Sequence, residues 1–203
     1  SDLEISRLAD AILQVTLSRA WAEVISDGAG EDGASAGKQA ERSGCAVFAF
    51  GKLGGEELNY SSDIDLLAVF DSGGAGDELF SKVMERLRYY LAEHTASGFV
   101  YRGDFRLRPY GRSGLLAHSF SSIVDYYKNS ASNWEKQALI KLRPVAGDLD
   151  FGRQVAERLS RFPAAVNPGS IAAEIKMQRS LAASRRSAIT TGVDVKSGKG
   201  GIR

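Results

Sequence analysis

Two short apolar runs on either side of a glycine-rich segment constrain the fold of this chain more than any other feature. The first run, Cys45–Phe50, reads CAVFAF, and the second, Asp63–Phe70, reads DIDLLAVF. Apolar runs of this length are consistent with strands buried on both faces. The segment between them, GKLGGEELNYSS, is rich in the glycine and serine typical of turns. The pattern predicts a strand, a glycine-rich turn and a second strand that begins with acidic residues.

Periodicity along the rest of the chain predicts helices around these strands. Leu3–Ile25 repeats apolar residues at three- and four-residue steps and so predicts an amphipathic helix. Its predicted apolar face consists of Leu8, Ile12, Val15, Leu17, Trp21, Val24 and Ile25. Phe99–Pro109, FVYRGDFRLRP, alternates strictly and predicts a third strand. The remaining predictions are helices only: Asp77–His94, Ser119–Asn129, Asn133–Arg143, Asp150–Phe162 and Ser170–Ser187.

Composition excludes several classes of protein. The 203 residues are 43% hydrophobic and 25% charged, which is typical of globular proteins and not of disordered chains. No apolar run reaches the roughly 18 residues of a membrane span. The formal charge of +1 gives no basic footprint for nucleic acid. Cys45 is the only cysteine, which excludes an intrachain disulfide and fits a reducing cytoplasm, where we expect the protein to act.

These features divide the chain into three predicted parts. Residues 1–44 form a leading helix followed by a Gly/Ala-rich segment, 26–44, that lacks large apolar residues and is expected to be a flexible loop. Residues 45–118 form the sheet-containing core, and residues 119–203 form a helical part that closes a cleft on it. The predicted fold class is α+β, with a small mixed sheet and flanking helices.

The motif that indicates chemistry is the pair of aspartates at the start of the second strand. Period-two geometry places Asp63 and Asp65 on the same face. Two adjacent carboxylates repel each other unless a cation lies between them, and Mg²⁺ prefers oxygen ligands that it shares with substrate phosphates. The neighbouring turn offers backbone N–H groups at glycines and hydroxyl donors for a polyphosphate, at Gly54, Gly55, Ser61 and Ser62.

A third carboxylate, Asp104, lies in the middle of the predicted third strand, on the face that also carries Arg106 and Arg108. Three carboxylates from two strands can hold two Mg²⁺ ions about 3.5–4 Å apart, the arrangement used for in-line displacement at phosphorus. Arginine binds phosphate oxygens in bidentate fashion, so Arg106, Arg108 and the nearby Arg112 are candidate nucleotide contacts. Alternatively, the arginines form a solvated strand face and Asp104 is their ion-pair partner.

The motifs GKLGGEELNYSSDIDLL and YRGDFRLRPYGRSG resemble those of the glutamine synthetase adenylyltransferase/adenylyl-removing enzyme family. DYYKN, NWEKQALIKLRPVAGD and DVKSGKGGIR support the resemblance, which runs from about Phe48 to Arg203. It implies a fold of the DNA polymerase beta-like nucleotidyltransferase superfamily. It also implies metal-binding carboxylates at Asp63, Asp65 and Asp104, and a nucleotide phosphate loop containing Gly54, Gly55 and Ser62.

The resemblance further implies Mg²⁺-dependent transfer of AMP to or from a tyrosine of glutamine synthetase, with ATP or ADP as nucleotide. Family members resemble two catalytic halves in one chain, of which this sequence carries one motif copy and is interpreted as a fragment. The wording RLRPYGRSG and GGIR resembles the amino-terminal half, which removes AMP by phosphorolysis to ADP. Glutamine synthetase is therefore the expected partner, with a nitrogen-signalling regulatory protein as a second.

Three alternative functions stay open from the sequence. The first is ATP-dependent adenylylation on the same site, which is the activity of the other half of the family. The second is a non-catalytic module that binds nucleotide or a partner protein, although the presence of all three aspartates argues against a lost active site. The third is a nucleotidyltransferase acting on nucleic acid, which the near-neutral charge disfavours.

Overall fold

The computed structural model describes residues 1–28, 44–60, 62–71, 77–93 and 101–166, together with positions 169, 172, 176 and 177. The chain divides into two compact units, Ser1–Ala165 and Val166–Arg203. Most of the predicted Gly/Ala-rich loop lies outside the described residues, as do Ser61 and most of the predicted helix at 170–187. The site and the sheet belong to the first unit.

The first unit contains the helices and strands that follow in chain order. The helices are α1 (Asp2–Gly28), α2 (Gly51–Gly54), α3 (Asp77–Ala92), α4 (Phe120–Asn129), α5 (Asn133–Ala138), α6 (Leu149–Leu159) and α7 (Arg161–Ala164). The strands are β1 (Cys45–Ala49), β2 (Ile64–Phe70), β3 (Gly103–Asp104), β4 (Ala117–Ser119) and β5 (Arg143–Gly147). None of the described helices has the length and apolar character that crossing a bilayer requires.

The strands form one mixed sheet in the order β3-β2-β1-β5, with β4 also paired to β2. β1 is antiparallel to both β2 and β5, whereas β3 and β4 run parallel to β2. β3 pairs with the start of β2 and β4 with its end, so both lie along the same side of that strand. The prediction of a small mixed sheet with flanking helices is confirmed.

Both faces of the sheet are buried, as the apolar runs predict. One face, which includes Ile64 and Leu66, packs against α1 and α3 in a core that contains Trp21 and Phe80. The opposite face, which includes Leu67, packs against α4 and α6. Because alternate residues of β2 enter two different cores, the aspartates at the start of β2 share the second face.

The strand predicted at Phe99–Pro109 is wrong over most of its length. β3 consists only of Gly103 and Asp104. The Asp104 carboxylate accepts a hydrogen bond from the backbone N–H of Arg106 at 2.9 Å, which turns the chain away from the sheet. Arg106 and Arg108 therefore lie on a turn, and not on a continuous strand face.

The prediction that residues after Pro109 are only helical is also wrong. Residues 117–119 form β4, and the predicted helix Asn133–Arg143 ends at Ala138, followed by a 3₁₀ turn and then β5. β5 is not among the predicted strands, because the chain after Pro109 was interpreted as helical. The structure accommodates Pro144 on the edge strand, at an irregularity where the register shifts opposite Phe48.

The leading helix packs on the sheet as part of the same compact unit as the strands. Its length confirms the prediction, and its buried face includes Leu17 and Trp21 of the predicted apolar set but not all of that set. Leu13 and Leu17 are buried, whereas Leu8 and Val15 are 57% and 70% exposed. The helix contains more apolar residues than one face needs, so periodicity alone did not identify the packed face.

Candidate functional site

The carboxylates predicted to form the site lie on adjacent strands. β2 and β3 are parallel, and their register pairs Asp65 with Asp104. Asp63 directly precedes β2, two residues before Asp65, and so shares its face. The structure therefore brings together the three acidic residues that the sequence separates by up to 41 positions.

Arginines on the same segment bind two of these carboxylates. The Arg102 guanidinium donates to both oxygens of Asp63, at 2.8 Å from Nε and 2.7 Å from Nη2. Nε of Arg106 donates to Oδ1 and Oδ2 of Asp104, at 2.9 and 2.6 Å. Both arginine side chains are largely exposed, so these ion pairs are screened by water and cost little to break.

The environment of Asp65 is unfavourable for a negative charge. Burial, followed by the charges of Asp104 and Asp63, raises the pKa of the Asp65 carboxyl, and Arg106 only partly opposes this effect. Its Oδ2 lies 3.1 Å from the position a Cβ would occupy on Gly51, which has a φ of +56°. A concentration of negative charge that the fold does not neutralise at Asp65 is typical of a cation site.

The two glycines of the predicted phosphate loop pack against the chain itself. A Cβ on Gly54 would lie 2.0 Å from the backbone oxygen of Lys141, and one on Gly55 would meet the Lys141 side chain at 3.1 Å. The Gly54 carbonyl also accepts a hydrogen bond from Nε of Arg143 at 3.3 Å. Close packing thus accounts for Gly54, and a nucleotide contact at these glycines stays a prediction.

Ser62 lies next to Asp63 in a small polar cluster. Its hydroxyl donates to Asn59 and accepts from Nζ of Lys52 at 3.1 Å. The other predicted donors are less informative: Ser61 lies outside the described residues, and Arg112 is placed only by its backbone, in the 3₁₀ turn Gly111–Ser113. Nucleotide contacts by these residues therefore also stay predictions.

A cleft of about 550 Å³ opens beside the carboxylates at the edge of the sheet. Acidic and basic residues make up most of its lining, which consists of Asp63, Arg88, Arg102, Gly103, Asp104, Phe105, Arg106 and Arg108. The Arg108 side chain is held by two backbone carbonyls, those of Phe105 at 2.7 Å and Gly114 at 3.0 Å. Such a cleft can accept a ligand that carries both phosphate groups and divalent cations.

The donor chemistry at this site fits Mg²⁺, although the side chains are not arranged around an ion. Within the described ranges, no group of three His, Cys, Asp or Glu side chains has the geometry to hold a metal. Asp63 and Asp104 face Arg102 and Arg106 instead. For Mg²⁺ to bind at Asp63, Asp65 and Asp104, the carboxylates of Asp63 and Asp104 would each have to exchange an exposed arginine for the ion.

Two arginines of the cleft were missed as site candidates. Arg102 alternates with Asp104 in sequence, so its position on the same face was available from the strand pattern. Arg88 lies on α3, and its sequence neighbourhood contains no signal, because only the packing of α3 beside β3 brings it to the cleft. Leu91, one turn later, lies against Gly103, where a Cβ would be 3.1 Å from its Cδ1.

Comparison with known proteins identifies the family. Residues 3–158 match the family described as glutamate-ammonia ligase adenylyltransferase. Proteins named bifunctional glutamine synthetase adenylyltransferase/adenylyl-removing enzyme are similar to this chain. The one from Thioalkalivibrio sulfidiphilus is 41% identical over 77% of this chain and 17% of its own length. The one from Chromobacterium violaceum is 36% identical over 98% of this chain and 21% of its own length.

A protein of the same name from Hahella chejuensis is 37% identical over 98% of this chain and 21% of its own length. The chain thus spans about a fifth of the length of these relatives. The family match covers most of the described first unit, including the three aspartates and the arginine cleft. The chain belongs to the glutamate-ammonia ligase adenylyltransferase family.

Proposed function

We propose that this chain is a nucleotidyltransferase domain that removes AMP from an adenylylated tyrosine of glutamine synthetase, with phosphate as the attacking group and ADP as the product. The observation that carries the proposal is the pairing of Asp65 with Asp104 on adjacent parallel strands, with Asp63 on the same face. The fold then belongs to the polymerase beta-like superfamily. Membership of the family supports the proposal.

In the proposed reaction, an oxygen of hydrogen phosphate forms a bond to the AMP phosphorus. The bond from that phosphorus to the tyrosine oxygen breaks, and the tyrosine oxygen takes the proton that the phosphate gives up. Bound Mg²⁺ would supply the positive charge that stabilises the phosphoryl oxygens. Asp63, Asp65 and Asp104 would hold the ions, and Arg106 and Arg108 would orient the phosphate groups.

The cleft offers cations for phosphate groups, which both removal and addition of AMP require, and the motif resemblance selects removal. Phosphorolysis requires the site to bind a free anion next to a phosphodiester, and four arginines line the cleft beside the carboxylates. The motif RLRPYGRSG, which contains Arg106 and Arg108, resembles the half of the family that removes AMP. The proposed partner is glutamine synthetase, and the proposed location is the cytoplasm. A nitrogen-signalling regulatory protein stays a prediction.

The test is to incubate the purified chain with adenylylated glutamine synthetase, inorganic phosphate and Mg²⁺, and to measure ADP. We expect ADP to form with wild-type protein and to fall by at least a hundredfold with Asp65→Asn, since the variant keeps the shape but loses a metal ligand. Asp150→Asn is the matched control, because Asp150 is an exposed residue at the start of α6 and outside the cleft.

Two results would replace the proposal with an alternative. If no ADP forms but unmodified synthetase accepts AMP from ATP, the chain catalyses the opposite reaction on the same site. If neither reaction occurs, and Asp65→Asn and Asp63→Asn bind nucleotide as the wild type does, the chain is a binding module.

A further inference from the structure

Arg88 lies in the cleft without an evident structural task. It is exposed on α3 and lines the cleft beside Asp63 and Asp104. Within the described part of the chain, the ion pairs that the structure forms do not include Arg88. Arg86, two residues earlier, contrasts with it, since it pairs with Glu23 at 3.6 Å and Asp27 at 3.5 Å.

Arg108 lies near Arg88 and is fixed in place. The carbonyls of Phe105 and Gly114 hold its guanidinium. Burial first, and then the positive charge of Arg88, lower the pKa of the Arg108 side chain, which nevertheless stays protonated at neutral pH. The fold therefore keeps two cations close to each other, one rigid and one on an exposed helix surface. Such an arrangement is favourable when an anion lies between them.

We propose that Arg88 and Arg108 together bind one phosphate group, which is the attacking phosphate before the reaction and the β-phosphate of ADP after it. The two ligands occupy one subsite because the reaction joins the attacking phosphate to AMP and makes it the terminal phosphate of ADP. The proposal rests on the proposed function for the identity of the attacking group. The subsite itself rests on the positions of the two arginines beside the carboxylates.

The roles of the four cleft arginines then differ. Arg102 and Arg106 pair with Asp63 and Asp104, and Arg106, once exchanged for Mg²⁺, would orient the phosphate of AMP. Arg88 and Arg108 bind the phosphate that AMP lacks. The affinity for ADP and for inorganic phosphate should therefore depend on Arg88, whereas the affinity for AMP should not.

The direct test measures the dissociation constants of inorganic phosphate, ADP and AMP by calorimetry in the presence of Mg²⁺, for wild type, Arg88→Ala and Arg86→Ala. We expect Arg88→Ala to weaken phosphate and ADP about tenfold or more and to leave AMP unchanged. Arg86→Ala, the matched control on the same helix, should leave all three unchanged. Alanine is a favourable helix residue, so both variants are expected to fold, which circular dichroism checks.

Three results would overturn the subsite: equal weakening of AMP and ADP by Arg88→Ala, no change in any ligand, or a wild-type protein that binds ADP no more tightly than AMP. Comparing the changes in affinity for inorganic phosphate and for ADP shows whether the subsite binds the free phosphate, the β-phosphate of ADP, or both. If Arg88→Ala weakens ADP but not phosphate, the subsite binds the nucleotide only and the attacking phosphate lies elsewhere.

A kinetic measurement separates this proposal from the proposed function. If the chain catalyses phosphorolysis, Arg88→Ala should raise the KM for phosphate about tenfold while the KM for adenylylated synthetase changes little. An unchanged KM for phosphate contradicts the role of Arg88. If the chain instead transfers AMP from ATP, the proposed function fails, and the comparison of ADP with AMP still decides whether Arg88 and Arg108 form the subsite.

Discussion

Asp65 illustrates how a single residue can be unfavourable for the fold and useful for a ligand. Its carboxylate is partly buried beside Asp63 and Asp104, and its pKa is raised for those reasons. An acid with a raised folded-state pKa contributes stability at low pH that is lost as the pH rises through that pKa. At neutral pH the ionised Asp65 therefore opposes folding until a cation is bound.

Replacing Asp65 by Asn tests this conflict. Without Mg²⁺, we expect Asp65→Asn to raise the melting temperature by about 1–3 °C, because the substitution removes a repelling charge. Addition of Mg²⁺ should raise the melting temperature of the wild type and leave that of the variant unchanged. Differential scanning calorimetry measures both. A variant that melts below the wild type, or still responds to Mg²⁺, contradicts the prediction, and Asp150→Asn is the control.

His118 is a second residue at which ionisation affects stability. It is 5% exposed on β4, and within the described residues its Nε2 has no hydrogen-bond partner. Burial lowers the pKa of His118 to about 4; the Leu115 carbonyl opposes this effect and the charge of Arg108 adds to it. The folded protein thus keeps a neutral imidazole at a pH where the unfolded chain, with a pKa near 6.5, is already protonated.

We therefore expect His118 to make the protein lose stability as the pH falls from about 6.5 to about 4, by up to about 1.4 kcal/mol per pH unit. His118→Gln should flatten this part of the pH profile measured by urea unfolding. His94→Gln, at the only other histidine, is the control and should retain the slope. An unchanged slope in His118→Gln would show that carboxylates dominate in this range.

At the scale of elements, the glycine turn at α2 packs against the 3₁₀ turn Leu139–Lys141 that follows α5. Gly54 lies against the backbone of Lys141, while Gly55 lies against the flexible side chain of the same residue. The motif GKLGG was predicted to be a phosphate loop, yet Gly54, the second of its three glycines, packs against backbone. Gly54 and Gly55 can therefore be compared as alanine variants, since an added Cβ would collide with backbone only at Gly54.

Gly54→Ala is expected to destabilise the fold by about 1–3 kcal/mol or more, because its Cβ would overlap a backbone oxygen. Gly55→Ala should change the free energy of unfolding by less than about 0.5 kcal/mol, since the half-exposed Lys141 side chain can move. Denaturant unfolding measures both. If Gly54→Ala folds normally and only loses nucleotide affinity, the glycine serves the ligand and not the packing.

At the scale of the whole molecule, one side chain ties together segments far apart in sequence. Arg143 on β5 donates to Asp10 of α1, 133 residues away, at 2.7 and 3.1 Å. It also donates to the carbonyls of Leu53 and Gly54 in the glycine turn. The Arg143 and Asp10 side chains are only 25% and 23% exposed, so water screens this pair less than the surface pairs.

Asp10→Asn and Arg143→Leu should each cost about 2 kcal/mol of unfolding free energy, because each leaves a poorly solvated partner without its counter-charge. The double variant should cost less than the sum of the two, by about 1 kcal/mol. Arg153 and Asp150, an exposed pair, provide the control cycle, with expected coupling below about 0.5 kcal/mol. Additive costs for Asp10 and Arg143 would mean that the pair is not energetically coupled.

Local patterns determined much of this protein. The apolar runs predicted β1 and β2, periodicity predicted α1 and α3, and alternation along β2 placed Asp63 and Asp65 on one face, since each depends only on neighbouring residues. The turn at Asp104, whose carboxylate accepts from the backbone N–H of Arg106, is also local, but strict alternation of the sequence concealed it. The family resemblance, which depends on residue identity alone, was confirmed by comparison.

Only the tertiary structure decided which strand lies beside β2, and therefore that Asp104 pairs with Asp65. It also decided that α3 delivers Arg88 to the cleft and that α1 joins the core of the sheet. These contacts connect segments tens of residues apart. Their formation depends on how the apolar faces of helices and strands pack together, and neither the register of a strand pair nor the rotation of a helix against a sheet is encoded in a local repeat.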